Sequence, residues 1–226
     1  MAMIQFRWAV LGCVGLAGLL LGGVACKHES PPSASPVPSS APDWKRMTEA
    51  WEEHDPIPAY ALIDQNGDAF RMSRFDGQHV LIGFVFSRCP MPKACPLTMQ
   101  RMAEVQRLWK AAEAEGKTAG KKLHIVVATI DPDFDTPPLL KQYAKGYGAD
   151  FRYWTMATGP KGLVDSAFPS LFNVFAFPRE EGVISHNVNT GLLRPDRTIW
   201  KEWANNEFVP KDVVKMVLEG TEASSG

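Results

Sequence analysis

The sequence predicts an α/β fold in which a mixed β-sheet is flanked by helices. Two continuous apolar runs, HVLIGFVF at 79–86 and LHIVVATID at 123–131, are typical of strands buried on both faces. Each run precedes a stretch that favours a helix, and hairpin signals lie near both ends of the folded region. Strands that alternate with helices and end in a hairpin indicate a sheet with both parallel and antiparallel strands.

The first predicted element is a hairpin. In AYALIDQNGDAFRM, two short apolar segments flank Asn66-Gly67, which is a strong turn signal. After the strand at 79–86, a helix is predicted to begin at Pro96 and to end at Gly116, with its apolar residues on one stripe. This stripe consists of Leu97, Met102, Val105, Leu108 and Trp109.

The second half of the fold follows the strand at 123–131. Thr136 and Pro137 are a favourable N-cap and first-turn pair, so a helix is expected over 137–148. The remaining expected elements are a strand at 151–158, a helix at 159–175, a hairpin at 185–203 that turns at Pro195-Asp196, and a final helix at 210–220.

The N-terminal segment is expected to target the chain rather than to join the fold. Residues 1–25 contain the apolar run WAVLGCVGLAGLLLGGVA, which is followed by Cys26. This pattern resembles a bacterial lipoprotein signal with a lipid-modified Cys26. The alternative is a membrane anchor, because the run from Trp8 to Ala25 has 18 residues and is just long enough to span a bilayer. Both interpretations place the folded part on the extracytoplasmic, periplasmic side of a bacterial membrane.

A tether and one domain are expected after this segment. Residues 26–45 are rich in Ser, Pro and Ala and predict a disordered tether, followed by a domain at 46–220 and a disordered tail at 221–226. The chain has 24 basic and 25 acidic residues and no basic stripe, which argues against a nucleic-acid partner.

Cys89 and Cys95 are the chemically informative pair. They are the two cysteines of the predicted domain, and the five residues between them include two prolines. Cys89 directly follows a buried strand and Cys95 lies at the start of the next helix, which is a thioredoxin-like position. Two thiolates in a stiff loop suit Cu(I), while Zn(II) and a disulfide are the alternatives.

A histidine is the natural third ligand for such a pair. His28 lies in the tether and His54 precedes the domain core, while His79 and His124 begin strands at the edge away from the cysteines. His186 lies in a late segment, ISHNVNTGLL, and is the remaining candidate.

Four stretches together carry a family resemblance: FVFSRCPMPKACP, ATIDPDFDTPPLLKQYAKGYG, FRYWTMATG and SHNVNTGLLRPD. In this order the chain resembles the Sco (SenC) family of copper-binding, thioredoxin-fold assembly proteins from about residue 57 to 218. The resemblance implies a thioredoxin-like sheet with an N-terminal hairpin and a late inserted hairpin. It also implies copper, as Cu(I) or Cu(II), bound by Cys89, Cys95 and His186.

The motifs depart from the commonest family pattern. Most members have C-x3-C, whereas this chain resembles the longer C-P-x-P-x-x-C variant, and SHN replaces the commoner DHS. The resemblance implies a copper chaperone that assembles the copper centre of cytochrome c oxidase, and this role involves no catalysis by the chaperone itself. Its partner would be a copper-accepting oxidase subunit or another copper chaperone. A thiol–disulfide reductase that uses Cys89 and Cys95 as its catalytic redox pair, and a copper or redox sensor, are the alternatives.

Several neighbouring residues have two interpretations. Asp131 would orient His186 through a hydrogen bond without binding the metal itself, or would form the turn before Pro132. Arg88 would stabilise a thiolate or remain a solvated charge, and Met91 would contact a partner or bind Cu(I). The phenylalanines within 168–177 are expected to belong to the core, with a docking face as the alternative.

Overall fold

The computed structural model describes residues 43–178 and 184–220. These ranges contain, in chain order, α1 (Trp44–Glu49), β1 (Ala61–Asp64), β2 (Ala69–Arg71), β3 (His79–Val85), α2 (Cys95–Ala114), β4 (Leu123–Thr129), α3 (Pro137–Gly146), β5 (Trp154–Thr158), α4 (Phe168–Ser170), β6 (Ala176–Pro178), β7 (Ile184–His186), β8 (Asn189–Leu193), β9 (Ile199–Ala204) and α5 (Pro210–Glu219).

The main sheet has seven strands in the order β2-β1-β5-β4-β3-β8-β9. The three central strands β3, β4 and β5 are parallel, and the outer pairings are antiparallel. The predicted mixed α/β sheet with a hairpin at each end is therefore confirmed. Because the central strands are parallel, the loops that follow them lie at one edge of the sheet.

The core explains why the two apolar runs form strands. Every residue of β4 is buried, and all residues of β3 after His79 are buried. Helix α2 packs against both strands and against α5 through a buried stripe that includes Met102, Val105 and Trp109. The predicted Leu97 and Leu108 are only partly buried, because Met99 and Gln106 take the fully inward positions.

Two elements differ from the prediction. The helix expected over 159–175 is a π-helical turn at Leu163–Ala167 followed by the short α4. Pro169 has no N–H group to continue the helical ladder, and Asn173 ends the segment with a left-handed φ of 53°. The second difference is a separate small sheet of β6 and β7, which the sequence patterns did not reveal.

The predicted segments at the two ends of the chain lie mostly outside the described residues. This applies to the signal or anchor at 1–25, to Cys26, to the tail at 221–226 and to most of the tether. At the described end of the tether, Asp43 accepts a hydrogen bond from the Arg46 backbone and caps α1. Within residues 43–178 and 184–220, no helix has the length and apolarity that a bilayer crossing requires.

Candidate metal centre

The loop between β3 and α2 presents the two cysteines differently. Cys89 is half-buried, whereas Cys95 is the first residue of α2 and has no exposed surface. Turn hydrogen bonds close both ends of the loop, from Cys89 N to the Phe86 carbonyl at 3.2 Å and from Ala94 N to the Met91 carbonyl at 3.0 Å. Both thiols are free.

His186 reaches the cysteines from the last position of β7. Its Nε2 lies 3.6 Å from Cys95 Sγ, and its ring packs edge-on against the buried Phe86 ring at 5.6 Å between centroids. Its Nδ1 lies 2.8 Å from the carbonyl oxygen of Asn187, so Nδ1 is the nitrogen that donates. The lone pair of Nε2 is therefore left for a metal or a thiol.

Two asparagines hold the segment that carries His186. Asn187 accepts a hydrogen bond from the Phe175 backbone N–H at 2.8 Å and donates to the Asn173 carbonyl at 2.6 Å. Asn189 donates to the same Asn173 carbonyl at 3.3 Å. Asn187, where SHN departs from the commoner DHS, thus connects the histidine segment to the residues that follow α4.

The three side chains are close enough to bind one metal ion. One sulfur from each cysteine and one ring nitrogen of His186 all lie within 4.8 Å of one another. For metal–ligand bonds of about 2.0–2.3 Å, a trigonal site separates its ligand atoms by roughly 3.5–4 Å. In the described part of the chain, no further His, Cys, Asp or Glu joins the group. Two thiolates and one imidazole favour a soft or borderline ion, and a closed structural zinc site would need a fourth ligand.

The pKa values of the two thiols are shifted in opposite directions because the thiols contact each other. A hydrogen bond from the Cys95 thiol lowers the pKa of Cys89 well below that of an ordinary thiol. The same contact, together with burial, raises the pKa of Cys95. Cys89 is therefore the thiolate of the metal-free pair, and metal binding must displace the proton of Cys95.

A buried carboxylate, Asp135, fixes the strand end before Cys89. Asp135 has no exposed surface and accepts hydrogen bonds from the Ser87 backbone N–H at 3.1 Å, from the Ser87 hydroxyl and from Thr129 Oγ1 at 2.5 Å. Burial raises the pKa of Asp135. Although Asp135 directly precedes the Thr136-Pro137 helix start, its carboxylate connects the ends of β3 and β4 beside the site.

Asp131 does not orient His186. Its carboxylate accepts from Arg88 Nε at 2.8 Å, and the Arg88 guanidinium lies over the Phe134 ring at 4.3 Å. The partner of His186 Nδ1 is instead the carbonyl of Asn187. Arg88 is thus an ion-pair partner of Asp131 rather than a simple solvated charge.

The other sequence candidates are spread over the fold. His54 is exposed, while His79 and His124 lie at the start of β3 and β4, away from the cysteines, and His28 lies outside the described residues.

Met91 is 45% exposed within the cysteine loop. The phenylalanines divide into two groups: Phe168 and Phe172 are buried, and Phe175 and Phe177 are 53% and 65% exposed.

The chain is similar in sequence to known proteins. A family model described as SCO1/SenC matches residues 49–220. A Stutzerimonas stutzeri protein with copper-binding in its name is 30% identical over 143 residues, which cover 63% of this chain and 66% of that protein.

Two solved structures share the thioredoxin-like fold. A SCO1/SenC family lipoprotein from Bacillus anthracis has a TM-score of 0.63 at 21% identity, covering 74% of this chain and 95% of that one. Arabidopsis thaliana ScoI, solved with copper bound, has a TM-score of 0.60 at 18% identity, covering 74% and 97% of the two chains. Since the family model spans the whole region that holds the cysteine loop and His186, the chain belongs to the SCO1/SenC family.

Proposed function

We propose that this protein is a membrane-tethered copper chaperone that binds Cu(I) or Cu(II) through Cys89, Cys95 and His186. One observation carries the proposal: the three potential ligand atoms, two from the cysteine loop and one from β7, lie within 4.8 Å of one another. The donor set of two sulfurs and one imidazole is the kind that selects copper over hard cations. The copper-binding name of the Stutzerimonas stutzeri relative supports the same metal.

In this proposal copper is a cargo that passes to an acceptor by ligand exchange. Cys89 and His186 are only partly buried, so an acceptor ligand can approach the ion while the buried Cys95 still holds it. The acceptor that the family resemblance implies is the copper-binding subunit of a cytochrome c oxidase, or another copper chaperone. An anchor at Cys26 or the apolar run before it would keep the domain near this acceptor on the periplasmic side, raising its effective concentration. The lipoprotein relative from Bacillus anthracis supports such an anchor.

A second candidate is thiol–disulfide reduction, favoured by the pairing of an accessible Cys89 with a buried, free Cys95. The Cys89 thiolate would attack an acceptor disulfide, form a mixed disulfide and release one acceptor thiolate. Cys95, after losing its proton, would then attack Cys89. This leaves a Cys89–Cys95 disulfide and two reduced acceptor cysteines.

Copper titration of the reduced protein tests the chaperone proposal. We expect one copper per chain and sulfur-to-copper charge-transfer absorption in the Cu(II) form. The Cys89→Ser/Cys95→Ser variant should lose both, and His186→Ala should shift the absorption and weaken binding. His54→Ala is the matched control, because it removes an exposed histidine and should leave copper binding unchanged.

Two results would contradict the proposal. The first is the absence of stoichiometric copper in the wild-type protein. The second is equal copper binding by wild type and the double cysteine variant. A Cys89–Cys95 disulfide that forms reversibly without any copper binding would instead support the reductase.

A further inference from the structure

Asn206 lies far along the chain from the cysteines but contacts their loop. It follows β9, is only 2% exposed, and adopts a left-handed backbone with φ of 58°. Its side-chain Nδ2 donates to the carbonyl oxygens of Lys93 and Ala94, at 3.2 Å each. Its Oδ1 accepts from Thr98 Oγ1 at 2.7 Å. All the polar atoms of this side chain are therefore directed at the junction between the cysteine loop and α2.

This junction has no side-chain N-cap, although Pro96 lies in the first turn of α2. Ala94 is the N-cap residue of α2, and alanine has no side-chain oxygen to accept from the first helical N–H groups. Its backbone is also unusual, with φ of −101° and ψ of −115°. Met91, Pro92 and Lys93 before it are exposed, so little packing holds this part of the loop. The contacts from Asn206 supply the constraint from outside the loop.

Asn206 is itself held in place. The Arg101 guanidinium donates to the backbone carbonyl of Asn206 and, at 2.7 Å, to that of Phe208. Arg101 belongs to α2, so this helix binds the segment after β9 through Arg101. The same segment binds the end of the cysteine loop through Asn206. The position of Asn206 is thus fixed relative to the helix that begins with Cys95.

We propose that Asn206 is a positioning residue of the metal centre: by fixing Lys93 and Ala94 it sets where α2 begins, and hence where Cys95 Sγ faces His186. Ala94 is bonded to Cys95, and Cys95 Sγ lies 3.6 Å from His186 Nε2, so a shift of this backbone moves a ligand directly. The long C-x5-C loop makes this constraint necessary, since its added length leaves more freedom between the two sulfurs. The inference rests on the proposed copper site.

The test compares two adjacent asparagines. Asn206→Gly removes the side chain and keeps the left-handed backbone unstrained, because glycine adopts positive φ freely. Asn205→Gly is the matched control, since Asn205 also has a positive φ, of 53°, but an exposed side chain. We expect Asn206→Gly to weaken copper binding about 10- to 100-fold, as loss of an outer-shell contact does, and to shift the sulfur-to-copper absorption of the Cu(II) form. Asn205→Gly should match wild type in both.

Two further variants separate positioning from folding. Asn206→Asp fills the same space but places a carboxylate, which has no proton to donate, against the two carbonyl oxygens, so in the folded protein it should weaken copper binding at neutral pH as Asn206→Gly does. Thr98→Val removes the hydroxyl that donates to Asn206 Oδ1 at 2.7 Å and lies 3.3 Å from the Ala94 carbonyl oxygen, but it leaves both contacts that Asn206 makes with the loop carbonyls. It should therefore lower stability and shift the absorption less than Asn206→Gly does. Unchanged affinity and absorption in Asn206→Asp, or the same spectral shift in Thr98→Val, would overturn the inference.

A copper-independent readout distinguishes failure of the inference from failure of the proposed function. If wild type binds no copper, the protein can be equilibrated in glutathione buffers, where oxidised glutathione takes two electrons from Cys89 and Cys95 and yields two reduced glutathiones. A changed disulfide equilibrium constant in Asn206→Gly, with none in Asn205→Gly, would support positioning of Cys95 without copper. Equal constants in both variants would refute it.

Discussion

Removal of the Asp135 carboxylate should destabilise the protein strongly, although the residue lies in a loop. Asp135→Ala would leave three donors without their acceptor: the backbone N–H and hydroxyl of Ser87, and the hydroxyl of Thr129. A buried donor left unsatisfied costs about 1–3 kcal/mol, and the two hydroxyls can partly reorient. We therefore expect a loss of about 3–5 kcal/mol in the free energy of unfolding.

Asp135→Asn should lower the free energy of unfolding much less, by about 1–2 kcal/mol. The amide oxygen can still accept from the Ser87 N–H, and the rotatable hydroxyls can accept from the amide NH2. The charge-assisted part of each hydrogen bond is lost. Part of this loss is offset because burial, which raises the pKa of Asp135, makes an ionised carboxylate costly at this position.

Urea denaturation at pH 7 measures these differences through the linear dependence of unfolding free energy on denaturant. Asp133 provides the control two residues away, because its side chain is 70% exposed and pairs with an exposed Lys161. Asp133→Ala and Asp133→Asn should each stay within about 0.5 kcal/mol of wild type. A loss below about 1 kcal/mol for Asp135→Ala, or equal losses for its Ala and Asn variants, would refute the role of the three hydrogen bonds.

Two further predictions concern the rest of the core. Burial lowers the pKa of His124 to about 4, below its ordinary value of 6.5, so the unfolded chain binds the extra proton between these values and stability falls as pH decreases through this window. Between pH 7 and pH 5 the free energy of unfolding should fall by about 2 kcal/mol because of His124. In urea titrations at a series of pH values, His124→Gln should remove this part of the pH dependence. The same pH dependence of the unfolding free energy in wild type and His124→Gln would contradict the prediction. Gly191→Ala should cost about 1–3 kcal/mol, since its Cβ would lie 2.4 Å from a buried phenylalanine ring, whereas Gly146→Ala, with open space around it, should not lower the thermal midpoint. Equal midpoints for the two glycine variants would show that the ring moves aside freely.

Local patterns were sufficient for the main elements of the fold. The runs that form β3 and β4 are predominantly apolar because these strands are buried on both faces, and this signal needs no knowledge of distant residues. The turn at Asn66-Gly67 is likewise specified by its own residues. The small sheet of β6 and β7 has three-residue strands, which are too short for a periodic pattern.

The supporting residues of the site were not predictable in the same way. Asp135 precedes a Thr-Pro helix start and has the local pattern of a loop residue, while its Ser87 partner lies 48 positions away. Asn206 contacts Ala94 across 112 positions, and nothing near it in the sequence indicates this. Buried polar residues pair through the tertiary fold, so a single sequence shows their chemistry but not their partners.

In the proposed cargo role, the site must hold a metal ion and then release it. Tight binding needs ligands fixed before the ion arrives, and the buried side chains of Asp135 and Asn206 make hydrogen bonds next to the cysteines without belonging to the ligand set. Transfer needs at least one ligand that a partner can approach, and Cys89 and His186 keep exposed surface. If the three ligands were fixed by their own packing, all three would have to be buried, and an acceptor ligand could replace them only slowly. The arrangement therefore suits the proposed cargo site, and we expect Asn206→Gly to change copper affinity while the route of an acceptor to Cys89 stays open.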